Sequence, residues 1–276
     1  MSLDRRMVLR AALGGAVASA YGMSPANAGG RGRRRTIFVA GDSTAATYAT
    51  ADVPRAGWGQ ALPAFLRPEI AVQNGALSGA SSKSFADLGR LDLILAAIRP
   101  GDVLLVSFGH NDEKTEDPAR YTEPWTTFQD YLRLYLDGAR AKRAQPILVT
   151  PVERRRFRAD GTPYLSHGEY PDAMRALAES TGTPLIDLTA LSFALWSTLG
   201  PEATKDYFLW LDPGEHPNYP DGVSDNTHFQ AHGAIEVARL VAGAGCDIPG
   251  RDQRALHHPS IPDSVLTWPA TRPAES

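Results

Sequence analysis

The chain has 276 residues, 28 of them basic and 31 acidic, with 43% hydrophobic and 21% charged side chains, a formal charge of −3 and a single cysteine. That composition supports a sizeable core in one large domain and excludes a disordered chain. No apolar run approaches the roughly 20 residues of a bilayer-spanning helix, the near-balanced charge gives no general attraction to nucleic acid, and Cys246 alone makes neither an internal disulfide nor a thiolate zinc cluster.

At the N-terminus Arg5, Arg6 and Arg10 precede the uncharged, small-residue stretch Ala11 to Met23. Its 13 residues make a helix of about 20 Å, too short for roughly 30 Å of hydrocarbon. Ala26-Asn27-Ala28 offers the small residues a signal peptidase accepts. Residues 1–28 therefore read as a cleavable signal of twin-arginine type, 29–35 as a basic leader, 36–250 as the folded domain, and 251–276 as a proline-rich tail that wraps the surface or frays. The protein is expected in the periplasm or outside the cell, with no membrane segment left after cleavage. Cleavage removes Arg5, Arg6, Arg10 and Asp4, moving the formal charge from −3 to −5.

From Thr36 onward, short apolar β-branched runs alternate with longer periodic segments, the mark of an α/β domain. The candidate strands are Thr36 to Ala40, Ile70 to Gln73, Asp102 to Phe108, Pro146 to Thr150 and Pro184 to Leu188, giving a five-stranded, mostly parallel sheet. A long helix is predicted from near Thr122, with Trp125, Phe128, Leu132, Tyr135 and Ala139 in the core. A last helix from about Gln230 turns Ala231, Ala234, Ile235, Ala238 and Ala242 to the sheet. Pro201 to Asn226 reads as one long loop, a length that compact domains keep for function.

The strand ends carry the polar chemistry. The first runs into Gly41-Asp42-Ser43-Thr44-Ala45, which puts a serine on a turn at the carboxyl edge of the sheet, where ligands of open α/β sheets collect. Gly-Asp-Ser also marks ordinary strand-to-loop turns. A nucleophilic serine needs a base, and Asp225-Asn226-Thr227-His228 offers one: three residues apart in a helical turn, Asp225 can hold Nδ1 of His228 while Nε2 faces Ser43. The same spacing fits a helix cap, and both readings stay open. The second strand ends in Asn74 to Ser81, where Gly79 can present its N–H with no Cβ in the way. The third ends in Gly109-His110-Asn111-Asp112, where Asn111 supplies an amide donor for an oxyanion. Asp221, Asp225, His216 and His232 are a conceivable calcium set, although their spacing follows no standard loop.

These blocks resemble those of the SGNH or GDSL hydrolases. Ser43, Gly79, Asn111 and the Asp225–His228 pair match the four defining blocks in order. The likeness narrows to rhamnogalacturonan acetylesterase-like carbohydrate esterases on Ala40 to Thr44, Gly57-Trp58-Gly59-Gln60, Gly79 to Phe85, Gly109 to Asp112, Thr150 to Arg155 and Asp225 to Phe229. The resemblance implies a three-layer α/β/α, flavodoxin-like fold. It further implies a serine esterase that deacetylates a pectic or xylan polysaccharide or oligosaccharide without metal or cofactor; a monomer is expected. Ser43, Asp225 and His228 would be catalytic, with the Ser43 and Gly79 amides and the Asn111 side chain holding the oxyanion. A GDSL-type lipase, thioesterase or arylesterase is the alternative within the family, and a non-catalytic glycan-binding protein the alternative outside it.

Substrate contacts are expected from Asp42, His110, Arg154 and Arg155, the arginines through galacturonate carboxylates. The competing reading pairs those arginines with structural carboxylates such as Glu153 and Asp160. Trp58 and Trp210 are candidates for stacking on sugar rings or for the core.

Overall fold

Alternate side chains of each apolar run face opposite sides of a sheet, and here both sides are buried. A computed structural model describes residues 34–244 and 248–271, so the expected export signal, most of the leader, Cys246 and the last five residues lie outside the described residues. In chain order the first elements are β1 (Thr36–Gly41), β2 (Arg55–Ala56), α1 (Trp58–Ala61), β3 (Ala71–Asn74), α2 (Ser82–Asp87), α3 (Arg90–Ala97) and β4 (Val103–Ser107). There follow α4 (Gln129–Ala141), β5 (Gln145–Val149), α5 (Tyr170–Thr181), β6 (Leu185–Ile186), α6 (Leu188–Ala203), β7 (Phe208–Leu211), β8 (Val223–Gln230), α7 (Ala231–Ala244) and α8 (Gln253–Leu256).

The main sheet has the order β3-β1-β4-β5-β6, every pair parallel, with Ile37 beside Val103 and Leu104 beside Pro146. Ile37, Val39, Val103, Leu105, Ile147 and Val149 pack into one core with α1, α6 and α7. Phe38, Ala40, Leu104, Val106 and Leu148 pack into the other with α2 to α5. This is the expected three-layer, flavodoxin-like arrangement. The chain leaves β1 first for the β3 edge and then for β4, so the order reverses beside β1, the usual place for a ligand crevice.

Two expectations need correction. Trp125 is 44% exposed rather than in the core, because Pro124–Phe128 forms a wider turn that puts it out of phase with the buried Phe128, Leu132, Tyr135 and Ala139. The segment from Pro201 to Asn226 is also not one loop: β7 and β8 lie within or overlap it and join β2 in a three-stranded antiparallel sheet. The four-residue run Phe208 to Leu211 was the available signal, hidden by the Asp, Pro and Gly around it. The last helix buries all five residues expected to face the sheet.

Residues 251–271 are fastened to the domain. Asp252 N donates to Phe65 O (2.9 Å), Thr50 N to Pro269 O (3.0 Å) and Trp268 Nε1 to Arg55 O (3.0 Å), while Leu266 joins the first core at 6% exposure.

Candidate active site

Ser43 stands two residues beyond β1 in a turn made by Asp42, whose Oδ1 accepts from the amide and the hydroxyl of Thr44, both at 2.8 Å. Tyr48 braces the turn from below, donating its hydroxyl to Ser43 O at 2.8 Å. Burial pushes the Tyr48 phenol up to about 12, so it remains a donor at any working pH. Sequence reasoning missed this residue, since nothing in an irregular loop marks a partner five positions on.

The candidate base, His228, arrives from β8. His228 Nε2 lies 2.9 Å from Ser43 Oγ, and His228 Nδ1 lies 2.7 Å from Asp225 Oδ2. The backbone is not the helical turn that the spacing predicts. Asp225 to His228 form an irregularity in β8, which pairs with β7 at Ser224 and again at Phe229. There Asp225 Oδ1 accepts from Thr227 N (2.8 Å) and His228 N (3.0 Å), so one carboxylate folds the bulge and orients the imidazole together. Burial works to raise the Asp225 carboxyl, but the His228 hydrogen bond and charge outweigh it and bring it down to about 2.

Two other strand ends reach the same edge. Asn111 Nδ2 donates to Ala80 O at 2.9 Å, which ties the third strand end to the second and leaves the other N–H of the amide open to a further acceptor. The amides of Ser43 and Gly79 meet no acceptor among the described residues. Gly79 has φ +81°, a left-handed backbone that favours glycine. Steric clearance is not the reason for glycine, because a Cβ there would meet only Arg120 Nη1, at 4.0 Å.

Asp42 and His110, expected to touch substrate, form instead the floor of the site, at 1% and 3% exposure. Burial pushes the His110 imidazole down to about 4 against the pull of Asp42, so the ring is uncharged at neutral pH. Its Nδ1 is 3.3 Å from Asp42 Oδ2, and its ring meets His167 edge-on at 4.3 Å.

The two arginines are also engaged inside the protein. Arg154 pairs with Glu113 and donates to His110 O (3.4 Å) and Ser166 O (3.3 Å). Arg155 donates to Asn226 Oδ1 (3.1 Å) and Pro201 O and lies over the Trp210 ring at 4.5 Å. Arg154 thus has a structural carboxylate, though Glu113 rather than Glu153, while Arg155 bonds an amide oxygen and a carbonyl instead; Glu153 accepts from Ser166 and Asp160 from Thr162. Trp58 is fully buried and belongs to the core.

The conceivable calcium set does not converge: His232 packs on Tyr207, His216 accepts from Asn218 N, and Asp225 is taken by His228. No group of three or more metal-binding side chains gathers among the described residues.

A serine, an imidazole and a carboxylate in one hydrogen-bonded line, beside unpartnered amides, can transfer an acyl group through an oxyanion. The chain matches the GDSL-like lipase/acylhydrolase family over residues 39–222 and belongs to it. It is a carboxylic ester hydrolase with the α/β fold of that family. The matched segment takes in Ser43, Gly79 and Asn111 and stops just short of Asp225.

Among curated relatives, the rhamnogalacturonan acetylesterase RhgT of Bacillus subtilis (strain 168) is 49% identical over 206 residues, covering 75% of this chain and 87% of that protein. The probable rhamnogalacturonan acetylesterase YesY of the same strain is 42% identical over 209 residues, covering 75% and 90%. The crystal structure of YxiM from Bacillus subtilis superposes with a TM-score of 0.65 at 33% identity, covering 76% of this chain and 56% of that one.

Proposed function

We propose that this protein is a serine esterase that removes O-acetyl groups from a rhamnogalacturonan-type polysaccharide through an acetyl-serine intermediate. The observation that carries the reading is the unbroken line from Ser43 Oγ to His228 Nε2 at 2.9 Å and from His228 Nδ1 to Asp225 at 2.7 Å. His228 takes the Ser43 proton as Oγ attacks the acetyl carbonyl, and Asp225 stabilises the imidazolium that forms. The oxyanion settles on the Ser43 and Gly79 amides and the Asn111 side chain. The tetrahedral centre then collapses, the C–O bond to the sugar breaks, and His228 gives its proton to the departing sugar oxygen. A water molecule, deprotonated by His228, attacks the acetyl-serine; the acyl bond breaks, Ser43 regains the proton, and acetate leaves.

The polysaccharide assignment is supported by the two relatives named as rhamnogalacturonan acetylesterases, each matched over most of its length. The export signal read in residues 1–28 suits an enzyme that meets cell-wall polymer outside the cytoplasm.

The test is acetate release from acetylated rhamnogalacturonan and acetylated xylan by the wild type and by Ser43→Ala. The expected result is faster release from the first polymer and its loss in the variant. Equal release by both proteins would overturn the serine mechanism, and a preference for long acyl chains on chromogenic esters would move the activity to a lipase.

A further inference from the structure

With Arg154 and Arg155 taken up inside the protein, a cation for a uronate carboxylate has to be sought elsewhere beside the site. Arg120 stands in that position. It lies on the connection between Asp112 and Thr122, its Nε donates to Asp117 Oδ2 at 2.5 Å, and its side chain is 30% exposed. Its two terminal amino groups meet no acceptor among the described residues. Nη1 lies 4.0 Å from the point where a Cβ on Gly79 would sit, which puts the guanidinium beside the strand end that supplies the Gly79 amide. A planar fork held along one edge and open along the other suits a planar two-oxygen anion.

The connection carrying Arg120 is held in place at several points. Asp117 O accepts from Arg120 N (3.0 Å) and Tyr121 N (2.8 Å), and Asp117 Oδ1 accepts from Ala119 N (3.1 Å). Lys83 Nζ donates to Pro118 O at 2.7 Å, and Thr122 Oγ1 to Asp112 Oδ1 at 3.1 Å. A pre-positioned guanidinium loses less freedom on binding, so the contact yields more of its interaction as affinity.

We propose that Arg120 forms a carboxylate-binding subsite on the rim beside Gly79, which takes a uronate carboxylate of the acetylated backbone while the acetyl group sits against Ser43. The subsite makes the enzyme prefer acetylated polyuronates over neutral acetylated glycans. It rests on the esterase reading above and adds the residue that sets its substrate preference.

The experiment compares kcat and KM for acetylated rhamnogalacturonan oligosaccharides and acetylated xylo-oligosaccharides in the wild type, Arg120→Gln and Arg120→Lys. For Arg120→Gln the ratio of the two kcat/KM values falls about tenfold or more, with the loss in KM for the uronate substrate. Arg120→Lys, a point charge without the fork, recovers part of the ratio. Reducing the substrate carboxyls to alcohols removes the wild-type preference, a readout independent of how any variant folds. A ratio unchanged in Arg120→Gln, a loss confined to kcat, or a preference that survives carboxyl reduction overturns the subsite. Wild-type inactivity on rhamnogalacturonan overturns both the subsite and the substrate reading. Wild-type activity on it with Arg120→Gln unaffected overturns the subsite alone.

Discussion

Asp225 uses one carboxylate for two tasks, and the two can be separated by substitution. Asparagine keeps an oxygen for the Thr227 and His228 amides but offers the imidazole no anion, so Asp225→Asn is expected to hold the bulge and lose about 10⁴-fold in kcat, read from initial acetate release. The carboxyl, brought down to about 2, has a usual value of 3.8. A depressed acid adds stability above its usual value and loses it as pH falls through the folded one. The urea midpoints of wild type and Asp225→Asn therefore converge as pH drops from about 5 to about 2. At Asn111, replacement by Ala removes one oxyanion donor and is expected to lower kcat by about 10²–10³-fold at nearly constant KM. The types and spacing of these site residues were legible because acyl transfer demands them. The fate of Arg154 and Arg155 was not, since Arg154 reaches His110, 44 positions away, and Arg155 reaches Asn226, 71 positions away. Only the fold selects such partners.

Among the elements, the central strands β1, β4 and β5 could be read because both their faces are buried, which leaves a continuous apolar signal. β7 has only four residues, and in the longer β8 the polar run Ser224 to His228 and the Asp225–His228 irregularity break the alternation, so the period-2 signal that exposes a sheet strand is missing. Gly57-Trp58-Gly59-Gln60 was legible as a motif but not as a function. In the fold this block clamps the serine turn: Trp58 N donates to Thr44 O at 2.9 Å, and Cβ atoms on Gly57 and Gly59 would lie 2.3 Å from Ala46 O and 2.5 Å from Ala45 O. Both contacts are to backbone, which has little freedom to give. Gly59→Ala is therefore expected to shift the turn that carries Ser43 and lower kcat by roughly tenfold or more, given that misplacing a reacting group by about 1 Å costs up to 10²-fold. Thermal unfolding and kcat of Gly59→Ala, measured together, check this, and wild-type values for both would refute the clamp.

At the scale of the molecule, the residues beyond 250 were read from their prolines as a tail that wraps or frays, and within residues 251–271 the chain wraps, fastened to the domain. Pro259, Pro262 and Pro269 restrict the chain without preventing it from docking its carbonyls: Thr267 O accepts from Gln60 Nε2 at 2.8 Å, and Arg239 Nη1 donates to the carbonyls of Ala255, Leu256 and His258. Through Gln60 the tail reaches the site, because Gln60 Oε1 accepts from Tyr48 N at 3.1 Å and the Tyr48 hydroxyl holds Ser43 O. Removing residues 259–276 strips Leu266 from the core, at about 1.5–3 kcal/mol for a buried leucine, and lowers the melting temperature by roughly 3–12 °C. It also frees Gln60 from Thr267, so kcat at a temperature well below the melting transition should fall as the Tyr48 brace loosens. Gln60→Leu in the full-length chain separates the two effects: it keeps Leu266 in place and removes both Gln60 bonds. A loss of kcat with the melting temperature little changed would assign the tail a part in positioning Ser43, whereas full kcat in Gln60→Leu would confine the tail to stability.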